Sequence, residues 1–173
     1  VLNVPIALRA ATPDDWLDIE ALLKVNHLPL DGAKAHLSSF VVATMGGRLV
    51  GCAGSEVYDN LALVRSLAVA PDFQHQGLGG ALLAGLLDAS EGRGITRVYL
   101  LTTSAGGFFR RFGFIEFRIE DAPPALHAST QFQGACPASA AFMGRLLAGA
   151  VPEPEHVWPR HSHRHKRISG PSD

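Results

Sequence analysis

RSLAVAPDFQHQGLGGALLAGLLDAS, residues 65–90, decides how this chain is read. The stretch continues a strand (Leu63 to Val69), meets a stop at Pro71, and passes through a glycine-rich loop. It then becomes a helix, Gly79 to Ala89, with leucines at helical spacing. Gly77, Gly79 and Gly80 stand where loop turns into helix. Glycines there permit a tight turn and keep Cβ atoms away from the first N–H groups of the helix, which have no partner inside it. Those donors, backed by the positive end of the helix dipole, suit a phosphate or pyrophosphate. The two common nucleotide loops do not match. No Lys follows the glycines as a P-loop needs, and Leu82 stands where the dinucleotide fingerprint requires its third glycine.

Outward from this stretch the chain alternates short strands and helices. Ile6 to Arg9 is a strand. Thr12 caps a helix opened by Pro13, Asp14 and Asp15, with Trp16, Ile19, Leu22 and Leu23 on one face to about Val25. Asn26 to Leu30 breaks the chain, and Asp31 is expected to cap a second helix to about Leu37. Phe40 to Thr44 and Arg48 to Tyr58 read as a hairpin around Gly46-Gly47, and Asp59-Asn60 turns the chain into the strand Leu61 to Val69. After the glycine-led helix, Gly94 stops it and Val98 to Leu101 reads as a buried strand parallel to Leu63–Val69. A short aromatic helix ends at Gly113. Pro123-Pro124 opens another to His127, and Ala138 to Leu147 reads as the last strand.

Composition narrows the function. With 173 residues the length fits one domain, read as 1–149, followed by a Pro- and His-rich basic tail, 150–173, expected to be disordered. A formal net charge of −1 gives no global attraction to nucleic acid or to an anionic membrane. No apolar run reaches the roughly 20 residues of a membrane helix, and no signal-peptide pattern is visible, so a cytoplasmic protein is expected. Cys52 and Cys136 form neither CxxC nor a zinc pattern, so free thiols and no metal are expected.

The combination Gln74-x-x-Gly77-x-Gly79 directly after Leu67-Ala68-Val69-Ala70-Pro71 resembles the signature of the GCN5-related N-acetyltransferases (GNAT). The stretch Gly107-Phe108-Phe109-Arg110-Arg111-Phe112-Gly113-Phe114 is similar to that family's second signature. The resemblance covers roughly Ile6 to Leu147. It implies an α/β (α+β) fold with a mixed, mostly antiparallel sheet of six or seven strands, splayed between the fourth and fifth, and four or five flanking helices. It also implies acetyl-CoA as co-substrate, a small amine as acceptor, and compatibility with a homodimer. Within the family, Leu101-Thr102-Thr103-Ser104 and Cys136-Pro137-Ala138-Ser139-Ala140 look closer to the small acetyltransferases of bacterial arsenic-resistance gene clusters, which are similar to the acetyltransferase domain of N-acetylglutamate synthases.

The resemblance assigns roles residue by residue. The segment Gln76, Gly77, Leu78, Gly79, Gly80 and Ala81 would cradle the pyrophosphate, braced by Gln74. The backbone of Leu67, Ala68 and Val69 would pair with pantetheine, with an N–H near Val69 meeting the thioester oxygen. Thr103, Phe108 and Phe109 would complete the cofactor site. Glu56 is open between two roles, a general base for the amine or the partner of Arg65 in a cross-strand ion pair. Arg65 is likewise open between a sheet-surface arginine and a clamp on an acceptor carboxylate. His27 and His36 lie where the acceptor would enter. Phe109 replaces the family's usual tyrosine, so no phenol protonates the leaving thiolate, and Ser104 or Thr103 is the substitute. Two other readings compete: a non-catalytic acyl-CoA sensor, and a trivalent-arsenic binder using Cys52 and Cys136.

Overall fold

The computed structural model describes residues 4–147, and the Pro- and His-rich segment from 150 onward lies outside the described residues. Seven strands form one sheet: β1 (Ile6–Ala10), β2 (Phe40–Met45), β3 (Arg48–Tyr58), β4 (Leu61–Val69), β5 (Arg97–Thr102), β6 (Ile115–Phe117) and β7 (Ala141–Leu146), in the order β1-β2-β3-β4-β5-β7-β6. Neighbours are antiparallel except β4 and β5, which run parallel because the helix α2 (Leu78–Gly92) crosses between them. The two other α-helices among the described residues are α1 (Trp16–Val25) and α3 (Gly106–Arg110).

Alternation along the strands explains why β3 and β4 are buried almost end to end. Ala62 and Val64 of β4 join Val98 and Leu100 of β5 in the larger core, against Leu22 of α1 and Leu82, Leu83 and Leu86 of α2. Leu61 and Leu63 point to the other face and meet Tyr99, Phe142 and Leu126. A sheet covered on both faces reads as continuous apolar runs, as these central strands do.

The first helix is anchored by Asp15. Its Oδ1 and Oδ2 accept from Arg9 Nη2 (2.8 Å) and Nη1 (2.7 Å), and Oδ2 also accepts from the Thr12 N–H at 2.7 Å. The Arg9 hydrogen bonds, with those from Thr12, outweigh burial and hold the carboxyl well below the usual carboxylate range. A group whose folded pKa is depressed contributes stability above its unfolded pKa and loses it as pH falls through the folded value. Asp15→Asn should therefore cost about 1–2 kcal/mol at pH 7, discounted for the exposure of Arg9, with the deficit closing below about pH 4. Urea melts of both proteins across pH 2–7 check this.

Three local expectations change. The segment after Asp31 is a turn followed by a 3-10 helix, Lys34–Ser39, because Gly32 sits at φ +73 and the chain enters β2 immediately. The helix opened by Pro123-Pro124 stands where expected but is a 3-10 turn, Pro124–Ala128, and a separate 3-10 turn, Ile119–Asp121, precedes it. The last strand begins at Ala141, after a turn closed by Ala140 N–H on the Pro137 carbonyl.

Candidate active site

The parallel ladder between β4 and β5 runs only from Leu61↔Arg97 to Val64↔Leu100. Beyond it, Ser66 adopts φ +57 and β4 carries one more residue than β3 between the pairs Gly54↔Arg65 and Cys52↔Ala68. Such a bulge bends a strand away from its neighbour. The sheet splits there. A cavity of about 530 Å³ opens between β4 residues Val64–Leu67 and β5 residues Leu100–Thr102, walled also by the 26–29 loop and by Gln131, Cys136 and Pro137.

A second cavity, about 510 Å³, lies at the start of α2 and is lined by Val69, Gln74, His75, Gly77, Gly79, Gly80, Phe108 and Arg111. Gly77 is the helix N-cap at φ +84, with no side-chain cap and no acid in the first turn. Ala81 N–H donates to the Gly77 carbonyl at 3.1 Å. The cradle donors are therefore the N–H groups of residues 78–80, and Ala81 closes the turn instead of joining them. Leu78 contributes only backbone, since its side chain is in the core. Gln76 Nε2 donates to the Asp72 carbonyl at 3.1 Å, which ties the loop to itself. Phe108 borders both cavities, and Phe109 lines the larger one.

Register decides which backbone groups enter the split. Ala70 N–H donates to the Val50 carbonyl, and the pairs Val69↔Gly51 and Ala68↔Cys52 follow. Hydrogen-bonded and open pairs alternate along an antiparallel ladder, so Ala68 directs its N–H and C=O at β3 while Val69 directs both into the opening. The pantetheine pairing expected of Ala68 is thus corrected, and Val69 keeps its place. Its carbonyl accepts from Asn26 Nδ2 (3.3 Å) and Gln74 Nε2 (3.1 Å), and Gln74 also reaches Asn26 Oδ1 at 3.3 Å. Gln74 thereby braces the strand end. Leu67, Thr103 and Ser104 line the larger cavity, the last two exposed at its mouth.

Glu56 and Arg65 form the ion pair. Their side chains are each 1% exposed, with Arg65 Nη1 donating to Glu56 Oε1. The other Arg65 nitrogens are also engaged: Nε donates to Ser66 Oγ (3.2 Å), and Nη2 to the carbonyls of Asp31 (2.8 Å) and Pro29 (3.3 Å). Tyr58 OH donates to Glu56 Oε2 at 2.6 Å. Burial pushes the Glu56 carboxyl up, but hydrogen bonds from Tyr58, Ser129 and Arg65 and the guanidinium charge outweigh it and leave the carboxyl below its ordinary value. Glu56 lies behind Arg65 and does not line the cavity. A buried carboxylate with a lowered pKa and no access to the acceptor is a counter-ion, so the base reading of Glu56 and the carboxylate-clamp reading of Arg65 give way to the pair.

His27 lines the cavity at φ +56, where it ends α1: its N–H donates to the Lys24 carbonyl and that of Leu28 to Leu23. His36 stands 3.9 Å from Glu56 instead of in the cavity. Cys52 and Cys136 are unbridged, Cys52 in the core and Cys136 in the cavity wall. Asn26 and Arg111 join the site through the fold. Val69, which Asn26 reaches, lies 43 positions away and leaves no local trace in the sequence, whereas Arg111 stands inside the aromatic motif Gly107–Phe114 as a visible positive charge.

Comparison with known proteins places this geometry. Residues 36–116 match the family described as the acetyltransferase (GNAT) domain. The amino-acid acetyltransferase of Neisseria meningitidis serogroup A is 30% identical over 118 residues, 63% of this chain and 27% of that protein. An uncharacterized N-acetyltransferase of Chlorobaculum tepidum is 35% identical over 89 residues, 51% of this chain and 57% of that one. N-acetylglutamate synthase from Neisseria gonorrhoeae, solved with coenzyme A and N-acetyl-glutamate, superposes with a TM-score of 0.71 at 27% identity, over 84% of this chain and 36% of that structure. The chain thus spans just over a quarter of the first relative and little more than half of the second. The split sheet and the open helix start beside it agree with the matched segment, and the fold is that of the GNAT acetyltransferases.

Proposed function

We propose that the protein transfers the acetyl group of acetyl-CoA directly to the primary amine of a small, amino-acid-like acceptor. The observation that carries this is the junction at Phe108, where an uncapped helix start opens beside a cavity between splayed parallel strands. The cradle fits a pyrophosphate: its N–H donors are unoccupied by side chains, Arg111 adds positive charge, and glycine at 79 leaves room for an anion. Acetyl-CoA supplies an activated thioester. Leu78, Gly79 and Gly80 hold its phosphates, and Val69 offers a fixed N–H where negative charge gathers on the carbonyl oxygen. Ser104 and Thr103 hydroxyls at the cavity mouth offer a proton to the departing thiolate. The amino-acid acetyltransferase relatives support an amino-acid-like acceptor, and N-acetyl-glutamate in the gonococcal structure is consistent with it. A role in capping toxic amines, arsenic-containing ones included, rests on the Leu101–Ser104 and Cys136–Ala140 motifs.

With Glu56 engaged by Arg65, the acceptor must arrive largely as its own free base. Coenzyme A release should then rise tenfold per pH unit up to the pKa of the acceptor amine, about 8–10, and shift with that pKa across a series of amines. A plateau whose position ignores the acceptor would reveal a base on the protein. Tight acetyl-CoA binding with no amine-dependent release would instead make the protein a sensor.

A further inference from the structure

The larger cavity has an unusual charge inventory. Among the described residues that line it, Arg65 is the one permanently charged side chain, and Glu56 cancels it from behind. Arg65 also gives its Nε and Nη2 donors to Ser66, Asp31 and Pro29, so its fork is not open to an incoming carboxylate. The neighbouring cations lie elsewhere: Arg110 pairs with Glu116 at 3.0 Å, and Arg111 lines the phosphate cradle with its guanidinium 5.6 Å from the Phe108 ring. The inner wall offers neutral groups, among them Leu28, Pro29, Phe109, Gln131 and Cys136. The mouth differs, because Thr103 and Ser104 present exposed hydroxyls where one solvated carboxylate can rest.

We propose that this site selects amino acids with an uncharged side chain over dicarboxylic ones, and that Glu56 sets the preference by neutralising Arg65. The inference rests on the acetyl-transfer reading and narrows its acceptor. An α-carboxylate stays at the wet mouth. A side-chain carboxylate carried inward would lose its hydration and meet no permanently charged group that is uncompensated, which is the costly case for a buried charge. Selectivity then comes from a withheld attraction, because the Glu56 carboxylate cancels the cation that would otherwise hold a second negative charge.

Isosteric pairs test this cleanly, since glutamine and glutamate differ in charge but hardly in shape. With the full chain and acetyl-CoA, kcat/KM for coenzyme A release should favour glutamine over glutamate, and asparagine over aspartate, by at least about tenfold. Glu56→Gln keeps a hydrogen-bonding partner for Arg65 but leaves its charge unmatched, and should pull the glutamine-to-glutamate ratio toward or below one. Calorimetric binding of the same amino acids to the coenzyme A complex reads the preference without turnover, and the wild-type ratios decide the matter even if the variant does not fold. Glutamate equal to or better than glutamine in the wild type would overturn the proposal, as would an unchanged ratio in a folded Glu56→Gln. Release with amines that are not amino acids, and with no amino acid bound, would overturn it while leaving acetyl transfer standing. Failure to bind coenzyme A would remove both.

Discussion

Gly79→Trp is expected to weaken acetyl-CoA binding at least a hundredfold, about 2.7 kcal/mol, while the fold persists. Position 79 lies in the cradle wall with its N–H at the open start of α2. A Cβ there would meet Phe108 at 3.8 Å and Val69 at 3.9 Å, which is ordinary contact. The backbone therefore accepts a side chain, and what suffers is the empty volume in front of the N–H groups. Gly79→Ala is the control and should lose little, since a methyl group leaves most of the cradle clear. By contrast, Gly77 at φ +84 would add backbone strain to any substitution, and Gly80 would bring a Cβ to 2.9 Å from Phe112, so neither isolates the cradle. Isothermal calorimetry with acetyl-CoA, beside thermal melts of all three proteins, separates the outcomes. Affinity within threefold of wild type in a folded Gly79→Trp would move the phosphates away from this helix.

Arg65→Met should destabilise the protein by about 3–5 kcal/mol, the range for breaking a buried ion pair from one side. The loss has two parts. Glu56 stays buried with only Tyr58 and Ser129 as donors, and the carbonyls of Pro29 and Asp31 lose the guanidinium that ties them to β4. The pH dependence distinguishes the first part. In the wild type the Glu56 carboxyl lies below its ordinary value, so its contribution is present above the unfolded pKa and fades as pH falls through the folded one. Without Arg65, burial dominates and the carboxyl rises, so the variant is least stable at high pH and recovers as the group protonates. The difference between the proteins should shrink from pH 8 to pH 5. Adding Glu56→Leu to Arg65→Met should restore much of the loss, short of about 1 kcal/mol for the bond lost at the Pro29 carbonyl, since the Asp31 carbonyl keeps Thr130. Denaturant melts at several pH values check both statements.

The architecture was readable because it is written in local signals. Gly46 and Gly47, at φ +56 and +81, are the turn residues that their sequence suggests, and the leucines of α2 repeat as a buried face requires. Gly77 and its neighbours mark the cradle for the same reason, since a helix start is a matter of a few adjacent residues. The acceptor side was less legible. Whether Glu56 faces a substrate or Arg65 depends on strand register and on the shift near Ser66, and no single residue announces either. The run Leu67–Val69 names neighbours on both edges of the strand, and only the register shows that Ala68 is turned to β3. Asn26 reads as an ordinary helix terminus until the fold brings Val69 to it.

The Asp31 carbonyl, held by both Arg65 and Thr130, joins segments that are synthesised far apart in time. Thr130 Oγ1 reaches it at 3.0 Å across 99 positions of chain, whereas the backbone donors of the cradle, residues 78–80, lie in one continuous stretch. Closing so long a loop costs entropy that is recovered only when its ends meet. As the polypeptide leaves the ribosome, the phosphate-binding turn is available tens of residues before the opposite wall has been synthesised. The turn proposed to hold the donor is thus synthesised first, and the wall proposed to face the acceptor is completed last.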